Sequence, residues 1–457
     1  MVVYYPELAQ RVRSQRDMQP DLYGDFDFEL PPERLATEPN VESSLPRWVA
    51  DREAILNDDR IVELISTATM LGDVVADPYA SLMGKYTVSQ LISMLKTACQ
   101  HGIDAVPDAP AELAAFIAAM EATPDWIDFD LVREGARQER IPAALLAPFI
   151  TRGAFIATFT NTYAALPMAL TGALSGKRAA RRVNETASFF AVTTLPGALD
   201  RYGPGFEAAA MVRLMHSMVR YNALKRSDKW DAAIYGLPVP QVDQMPAGMI
   251  GQYLLARKVK QQRRTKFNDQ ERAVIEFARY RCFLLGLPEE LLPTSPGDIV
   301  HIMHARAALL RDGFSDICGE LVRGTMAAYL RPDDTLFDRC ADAVEKSLSK
   351  LTFLQVFCNG DRDVAAARGV SVDPADLIRI ALTAPFVTGR LAAVTQASRL
   401  PVIRDIADAY VIGLLKLRLA TYGKPEFTTD AAQYTPGRAA GGGDRERQTA
   451  PRELVMS

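Results

Sequence analysis

The residues of this chain that could do chemistry together lie in one stretch, from Arg181 to Lys225. Arg182, Glu185 and Thr186 are three and four positions apart, so in a helix they share one face. His216 follows after a connector that is interrupted by proline and glycine. The pattern predicts two helices that face each other across a turn. One carries a cation, a carboxylate and a hydroxyl, and the other carries an imidazole.

His216 sits in an apolar stripe of the second helix, with an arginine on either side of it. Its apolar neighbours at helical spacing are Val212, Met215 and Val219. A neutral imidazole can bind haem iron axially, arginines can pair with haem propionates, and apolar walls can hold the macrocycle. These residue types therefore suit a haem pocket, with His216 as the iron ligand and Arg213 and Arg220 as cofactor-binding residues.

Each of these residues also has a purely structural explanation. A single histidine on an apolar face is more often a hydrogen-bonded core residue than a ligand. Glu185 lies at the spacing of an ordinary helical ion pair with Arg181 or Arg182, although a carboxylate in a poorly solvated pocket could also be a general base. Spacing alone leaves both explanations open.

The combination of residues resembles the signature of a known family. Arg182 is followed four positions later by Thr186, and His216 comes thirty positions after that in VRLMH. This arrangement is similar to that of the latex-clearing, or rubber-oxygenase, family, which includes the fungal oxygenases of the mycophenolic acid pathway and many uncharacterised bacterial proteins. Four further blocks within residues 120–300 share the likeness: PDWIDFDLVREG, AALPMALTGALS, GLPVPQVDQ and LLGLPEELLPTSP.

The resemblance implies an all-α protein, one large domain of many helices with a globin-like core and a haem b pocket between the two central helices. In rubber oxygenases the histidine binds the iron, and the arginine and threonine lie on the distal side; the matching residues here are His216, Arg182 and Thr186. Glu185 stands where the family has a lysine, and the family's distal glutamate has no counterpart in the acid-free segment NTYAALPMAL. The resemblance thus implies haem binding without implying polyisoprene cleavage.

Three functions are consistent with these observations. The first is a haem b-dependent oxygenase or dioxygenase that activates O2 and oxidises a small apolar substrate, such as an unsaturated lipid or a terpenoid. Arg182, Thr186 and Glu185 are its candidate catalytic residues, and His216 is its candidate metal ligand. The second is a haem-binding sensor or carrier, which the two departures from the family pattern favour. The third is a helical interaction protein without a cofactor, in which His216 belongs to the core.

Composition narrows the partners and the location. The 457 residues are 48% hydrophobic and 24% charged, an ordinary balance for a globular protein. A net charge of −4 gives no general bias toward nucleic acid. The five cysteines contain no CxxC pair, which is typical of reduced thiols in a cytoplasmic protein. The first twenty residues lack the apolar core of a signal peptide, which also favours a cytoplasmic location.

The chain divides into three parts by composition. Residues 1–45 are polar and proline-rich, which predicts an extended lead-in outside the core. Helical periodicity begins near Pro46, so residues 46–424 are predicted to form the all-α domain, and the Gly-rich, charged tail 425–457 is predicted to be disordered. Helix boundaries are predicted at Asn57, Gly102, Asn268 and Ser295.

Residues 153–176 contain no charged side chain. Threonines, glycines and an asparagine interrupt this run, which favours a buried helix, kinked or ended near Pro167, over a membrane span. Membrane association therefore remains open without being favoured.

Two other clusters are rivals for a binding site. Six basic residues lie between Arg257 and Lys266, but no aromatic side chains are interleaved with them, so a solvated helix face is favoured over an anionic partner. His301 and His304 are three apart on one helix face and could contribute to a metal site. No acidic or HExxH motif stands beside them, so His216 remains the favoured ligand.

Overall fold

The protein is all-α, as predicted. In the computed structural model the described residues are 3–46, 48–49, 51–170 and 177–422. They form 21 α-helices and no β-strand, apart from two isolated bridges that join Leu35 to Leu310 and Ser43 to Arg311. The predicted disordered tail, residues 425–457, lies outside the described residues.

The helices are numbered in chain order. The first seven are α1 (Pro6–Met18), α2 (Pro20–Tyr23), α3 (Arg52–Leu56), α4 (Asp59–Thr69), α5 (Ala76–Ser81), α6 (Val88–His101) and α7 (Ala111–Glu121). The next seven are α8 (Phe129–Leu145), α9 (Ala147–Ala157), α10 (Thr162–Leu170), α11 (Lys177–Val192), α12 (Pro204–Arg226), α13 (Ala232–Tyr235) and α14 (Gln241–Gln261). The last seven are α15 (Asp269–Leu284), α16 (Pro296–Leu309), α17 (Asp316–Ala327), α18 (Leu336–Thr352), α19 (Arg362–Ala367), α20 (Pro374–Ala397) and α21 (Arg404–Tyr422).

The helix boundaries predicted from capping residues are confirmed. Asn57 is the C-cap of α3, and Gly102 ends α6 with a φ of +91°, a conformation that favours glycine. At the start of α15 the Asn268 side chain accepts from the Glu271 N–H at 2.9 Å, and the Glu271 carboxylate accepts from the Asn268 N–H at 2.8 Å. At the start of α16 the Ser295 hydroxyl accepts from the Asp298 N–H at 3.1 Å.

The prediction of an extended N-terminal lead-in over residues 1–45 is wrong for α1 and α2. Leu8 and Tyr23 on these helices are fully buried in the largest hydrophobic cluster. The prolines misled the prediction, because Pro6 and Pro20 stand in the first turns of α1 and α2. Proline is well accommodated there, since the first turn does not use its missing N–H.

The uncharged run 153–176 is not one helix. α9 ends at Ala157 and α10 begins at Thr162, so the chain breaks before Pro167, which lies inside α10. The Asn161 side chain stabilises the break by donating to the Arg311 carbonyl at 2.8 Å. Residues 171–176 of this run lie outside the described residues.

Three hydrophobic clusters form the interior. The largest joins the N-terminal helices to α12, α14, α15 and α16, and the second surrounds α17 and the end of α18. The third packs α8, α11 and α21 together. Among the described residues, α20 alone is long and apolar enough to cross a membrane, unless α8 and α9, which meet at 96°, are counted as one bent segment.

Candidate functional site

The connector between α11 and α12 reverses the chain tightly, as predicted. Gly197 has a φ of +67°, in the left-handed region that favours glycine. A Cβ at Gly203 would clash with the carbonyl oxygen of Ala198. The same carbonyl accepts hydrogen bonds from the backbone N–H groups of Gly205 at 2.7 Å and Phe206 at 2.9 Å. These contacts set the start of α12 and bring it against α11.

One face of α12 is open in the middle of an otherwise buried helix. Its partly exposed residues are Val212, Met215 and His216, whereas Arg213, Leu214, Ser217 and Met218 are buried. The partly exposed residues that share a face of α11 are Arg182, Thr186 and Phe190. Nη1 of Arg182 lies 3.0 Å from Sδ of Met215, so the two open faces meet. We call the partly exposed region between these two faces the central gap.

A chain of amides fixes the hydrogen-bonding state of His216. The Gly72 carbonyl can only accept, and it takes a hydrogen bond from Nε2 of Gln241 at 3.1 Å. Oε1 of Gln241 then accepts from Nε2 of Gln244 at 2.9 Å. This leaves Oε1 of Gln244 to accept from Nδ1 of His216 at 2.8 Å. The proton therefore lies on Nδ1, and Nε2 carries a lone pair with no hydrogen-bond partner among the described residues.

The surroundings keep the His216 ring neutral. Burial, helped by the positive charges of Arg220 and Arg182, lowers the pKa of His216 to about 4, although the hydrogen bond that Nδ1 donates to Gln244 acts in the opposite direction. His216 is enclosed by protein on most sides and is only partly exposed to solvent. A neutral imidazole with a bare Nε2 is the form that binds a metal ion.

The site residues that were predicted on α11 lie on the α11 side of the central gap. Glu185 is buried and accepts from Nε of Arg181 at 3.0 Å and from Nη1 of Arg182 at 3.2 Å. The Arg182 guanidinium is thereby held between Glu185 and Met215. The Thr186 hydroxyl makes no hydrogen bond to a described residue, and it lies on the same partly exposed face.

Arg213 and Arg220 are held on the α5 side of α12. Arg213 forms a buried, two-pronged ion pair with Asp73, and Arg220 pairs with Asp77 on α5. Arg220 also donates to the carbonyls of Pro238 at 3.0 Å and Val239 at 2.6 Å. Both guanidinium groups thus have carboxylate partners inside the protein, so the cofactor role predicted for them would require these ion pairs to break.

The sequence did not single out the glutamines that orient His216. Gln241 and Gln244 open α14 directly after Pro240, three residues apart and so on one face. They belong to the block GLPVPQVDQ, in which the spacing of two amides on one helix face was the available signal. Their connection to His216 depends on how α12 and α14 pack, which local sequence does not show.

A buried arginine near the central gap was also missed. Arg281 on α15 is only 5% exposed, and its guanidinium lies 4.8 Å from the ring centre of Phe190. Its Nη2 donates to the Gly248 carbonyl, one helical turn beyond Gln244, while its Nε has no partner among the described residues. Glu139 on α8 lies nearby without forming an ion pair to Arg281, and burial raises the pKa of this carboxyl. A charge directly before the apolar run CFLLGL was the signal in the sequence.

The rival histidines on α16 have separate partners. Nε2 of His301 lies 3.0 Å from Oδ2 of Asp58, and Nε2 of His304 lies 2.9 Å from the Tyr253 hydroxyl. Among the described residues, no group of three or more His, Cys, Asp or Glu side chains is arranged to hold a metal ion. A haem needs only one such ligand from the chain, so this finding bears on the α16 pair rather than on His216.

The comparisons with known proteins agree with the resemblance seen in the sequence. Residues 144–387, which are 244 of the 457, match the family model "ER-bound oxygenase mpaB/B'/Rubber oxygenase, catalytic domain". A solved structure described as "Structure of Latex Clearing Protein LCP in the closed state" is similar in fold, with a TM-score of 0.54 and 17% identity. The match covers 77% of this chain and 91% of that one. No curated protein matches the sequence.

Proposed function

Because the chain belongs to the family of mpaB and rubber oxygenase catalytic domains, we propose that it is a haem b-dependent oxygenase acting on a small apolar substrate. Membership of the family implies oxygenase activity. The observation that carries the haem proposal is the state of His216: Nδ1 is held by Gln244, and Nε2 has no hydrogen-bond partner among the residues that the structure describes. A histidine that served only the core would be expected to satisfy both nitrogens.

The residues around the central gap fit a haem. Nε2 of His216 would hold the iron, and the apolar side chains of Val212, Met215 and Phe190 would contact the macrocycle. Arg281 is the best-placed cation for a propionate, because its Nε has no partner among the described residues. We assign Arg213 and Arg220 to holding α12 in place, since Asp73 and Asp77 already neutralise them.

When bound, the haem iron supplies the redox chemistry with O2. The chain's own residues supply orientation and environment. Gln244 keeps the proton on Nδ1 of His216 and so maintains Nε2 as a ligand. Arg182 brings N–H donors and a positive charge to the α11 side of the gap, and Thr186 brings a hydroxyl that has no hydrogen-bond partner among the described residues. The apolar side chains at the gap exclude water and suit an apolar substrate.

Glu185 has a positioning role in this proposal rather than the role of a base. Its two oxygens accept from Arg181 and Arg182, so the carboxylate is engaged on both sides. The ion pair holds the Arg182 guanidinium toward α12. Glu185 stands where the family has a lysine, and the family's distal glutamate has no counterpart; these two departures favour the alternative, a haem-binding sensor or carrier without turnover.

The first experiment is an absorption spectrum of the full chain after hemin is supplied. We expect a Soret band that His216→Ala abolishes, while His304→Ala, which changes another histidine with a single hydrogen bond, retains it. A preparation that stays colourless would contradict the proposal and favour the cofactor-free interaction protein.

A second experiment separates an enzyme from a carrier. Consumption of O2 by the haem-loaded protein is measured with an unsaturated fatty acid or a terpenoid as substrate. Consumption that depends on both haem and substrate supports the oxygenase. A haem protein that consumes no O2 with any member of such a panel supports the sensor or carrier.

A further inference from the structure

The C-terminal helices present an apolar surface that no described part of the chain covers. In α20 the residues Ile378, Leu382 and Phe386 are 62%, 66% and 79% exposed. They lie four apart, so they form one stripe along the helix. The stripe continues onto the turn after α20 and onto α21 through Leu400, Val402, Ile406 and Leu417, which are all exposed. We call these seven residues the outer stripe.

The opposite side of the same hairpin is firmly attached to the protein. Val411 and Leu415 on α21 are buried against Ile141 and Leu145 of α8 and Ala191 of α11. Several polar contacts connect the hairpin to its neighbours. They are Asp376 with Lys350 at 2.7 Å, Asp408 with Arg140 at 2.5 Å, and Arg404 with Glu134 at 2.8 Å.

This attachment decides how α20 can meet a membrane. α20 is long and apolar enough to cross a membrane, and none of its apolar window is buried. However, a helix held along one side by α8 and α18 cannot be surrounded by lipid without losing these contacts. An orientation in the plane of the membrane surface lets the outer stripe enter the lipid while the inner side stays packed.

The net charge of the C-terminal helices indicates which kind of partner would cover the outer stripe. Residues 374–422, which span α20 and α21, contain six Lys or Arg and three Asp, a net charge of +3, whereas the whole chain carries −4 and the rest of it therefore −7. The basic residues are Arg379, Arg390, Arg399, Arg404, Lys416 and Arg418. A second copy would bring an equally basic surface against this one, which is unfavourable. An anionic lipid surface has the complementary charge.

We propose that the outer stripe docks the protein on an anionic lipid bilayer, with α20 lying in the membrane interface. The apolar side chains enter the boundary of the acyl chains, and the exposed basic side chains of Arg390, Arg399 and Lys416 contact the headgroups. Because α21 packs on Ala191 of α11, docking would place the helix that carries Arg182 and Thr186 one helix away from the lipid. The docking itself does not depend on the haem.

The test is flotation of the full chain with vesicles of phosphatidylcholine alone and vesicles that contain phosphatidylserine in equal parts. We expect the wild-type protein to float with the anionic vesicles and to bind the neutral ones more weakly. Replacing Ile378, Leu382 and Phe386 together by serine should weaken binding by at least about tenfold, because each side chain contributes apolar area to the bilayer. Arg399→Glu should weaken anionic binding by about fivefold or more and leave neutral binding unchanged.

The matched control changes Leu336 and Phe337 to serine at the start of α18. These residues are as exposed as the outer stripe but lie outside it, and their replacement should leave flotation unchanged. Failure of the wild type to float, or equal flotation of the triple variant, would overturn the proposal. So would a dimer in sedimentation velocity that the triple variant abolishes, because the stripe would then be a contact between copies.

Discussion

The two sides of α12 are built differently although they belong to one helix. On the α5 side, Arg213 and Arg220 are buried and paired with Asp73 and Asp77, and Tyr23 donates to Asp77 at 2.6 Å. On the α11 side, His216 leaves one ring nitrogen without a partner among the described residues, and its neighbours are partly exposed. On the first side the polar groups pair with one another, whereas on the second side a ring nitrogen remains available to bind a ligand.

This difference distinguishes structural groups from functional ones. A charge that is paired within the protein has a structural role, whereas a lone pair without a partner is available for a functional one. Burial disfavours the Asp73 carboxylate, but the Arg213 guanidinium outweighs this effect and holds the pKa of Asp73 below its ordinary value. In such a buried ion pair, each charge offsets the free-energy cost of removing the other from water. A lone pair held toward a gap contributes nothing to the fold of the empty protein. Substitutions on the two sides of α12 should therefore divide between stability and haem binding.

The largest effect is expected from Arg220→Met, which leaves Asp77 buried without its cation. The free energy of unfolding should fall by about 3–5 kcal/mol, measured by urea denaturation. Lys225→Met on the same helix is the control, because its partner Asp25 is 3.9 Å away and fully exposed. The control should stay within about 1 kcal/mol of the wild type. If the Arg220→Met protein is as stable as the control, the structural role proposed for the α5 side of α12 is contradicted.

Gln244→Leu should weaken haem binding more than stability, because it removes the acceptor that keeps the proton on Nδ1 of His216. Affinity for hemin should fall by about 10- to 100-fold, while the free energy of unfolding changes by about 1–2 kcal/mol. Affinity is measured by following the Soret band during hemin titration. Gln252→Leu, a buried amide two turns further along α14, is the matched control and should leave affinity unchanged. Equal affinities for the two variants would contradict the orienting role of Gln244.

The sequence revealed the helices and the histidine but not the division of α12 into two sides. Caps such as Asn268 and Ser295 act through neighbours three residues away, so local sequence contains all of their geometry. Asp73 and Asp77 lie about 140 positions before their arginines, and no local pattern connects residues so far apart. Arg213 and Arg220 were therefore assigned to the cofactor from their position beside His216, before the carboxylates that neutralise them were known.

The pH dependence of stability offers a smaller, complementary effect in the empty protein. Burial lowers the pKa of His216 from 6.5 to about 4, so between these values the unfolded chain binds a proton that the folded chain does not. The free energy of unfolding should therefore fall as the pH drops through this window. Above about pH 6.5 His216 is neutral in both states, so it should add nothing to the pH dependence of stability. Relative to His216→Gln, the wild type should lose up to about 1.4 kcal/mol more per pH unit. Urea titrations of both proteins that show parallel pH profiles would disprove the burial of a neutral ring.

The smallest effect is expected from Thr186→Ala, because this hydroxyl makes no hydrogen bond to a described residue. Stability and hemin affinity should remain within about 0.5 kcal/mol of the wild type. The absorption spectrum of the haem-loaded protein under oxygen should change, and Thr186→Ser should restore it by returning the hydroxyl. A spectrum that Thr186→Ala leaves unaltered would count against placing this residue at the α11 side of the cofactor.

Replacement of His216 by glycine, followed by addition of free imidazole, tests the proposed iron ligand most directly. The variant should fold, because the open side of α12 carries little of the stability, and it should give no histidine-ligated Soret band with hemin alone. Imidazole in the buffer should restore that band by occupying the vacated space beside Gln244. A His216→Gly protein whose hemin spectrum equals that of the wild type without imidazole would show that the iron is not bound through this residue.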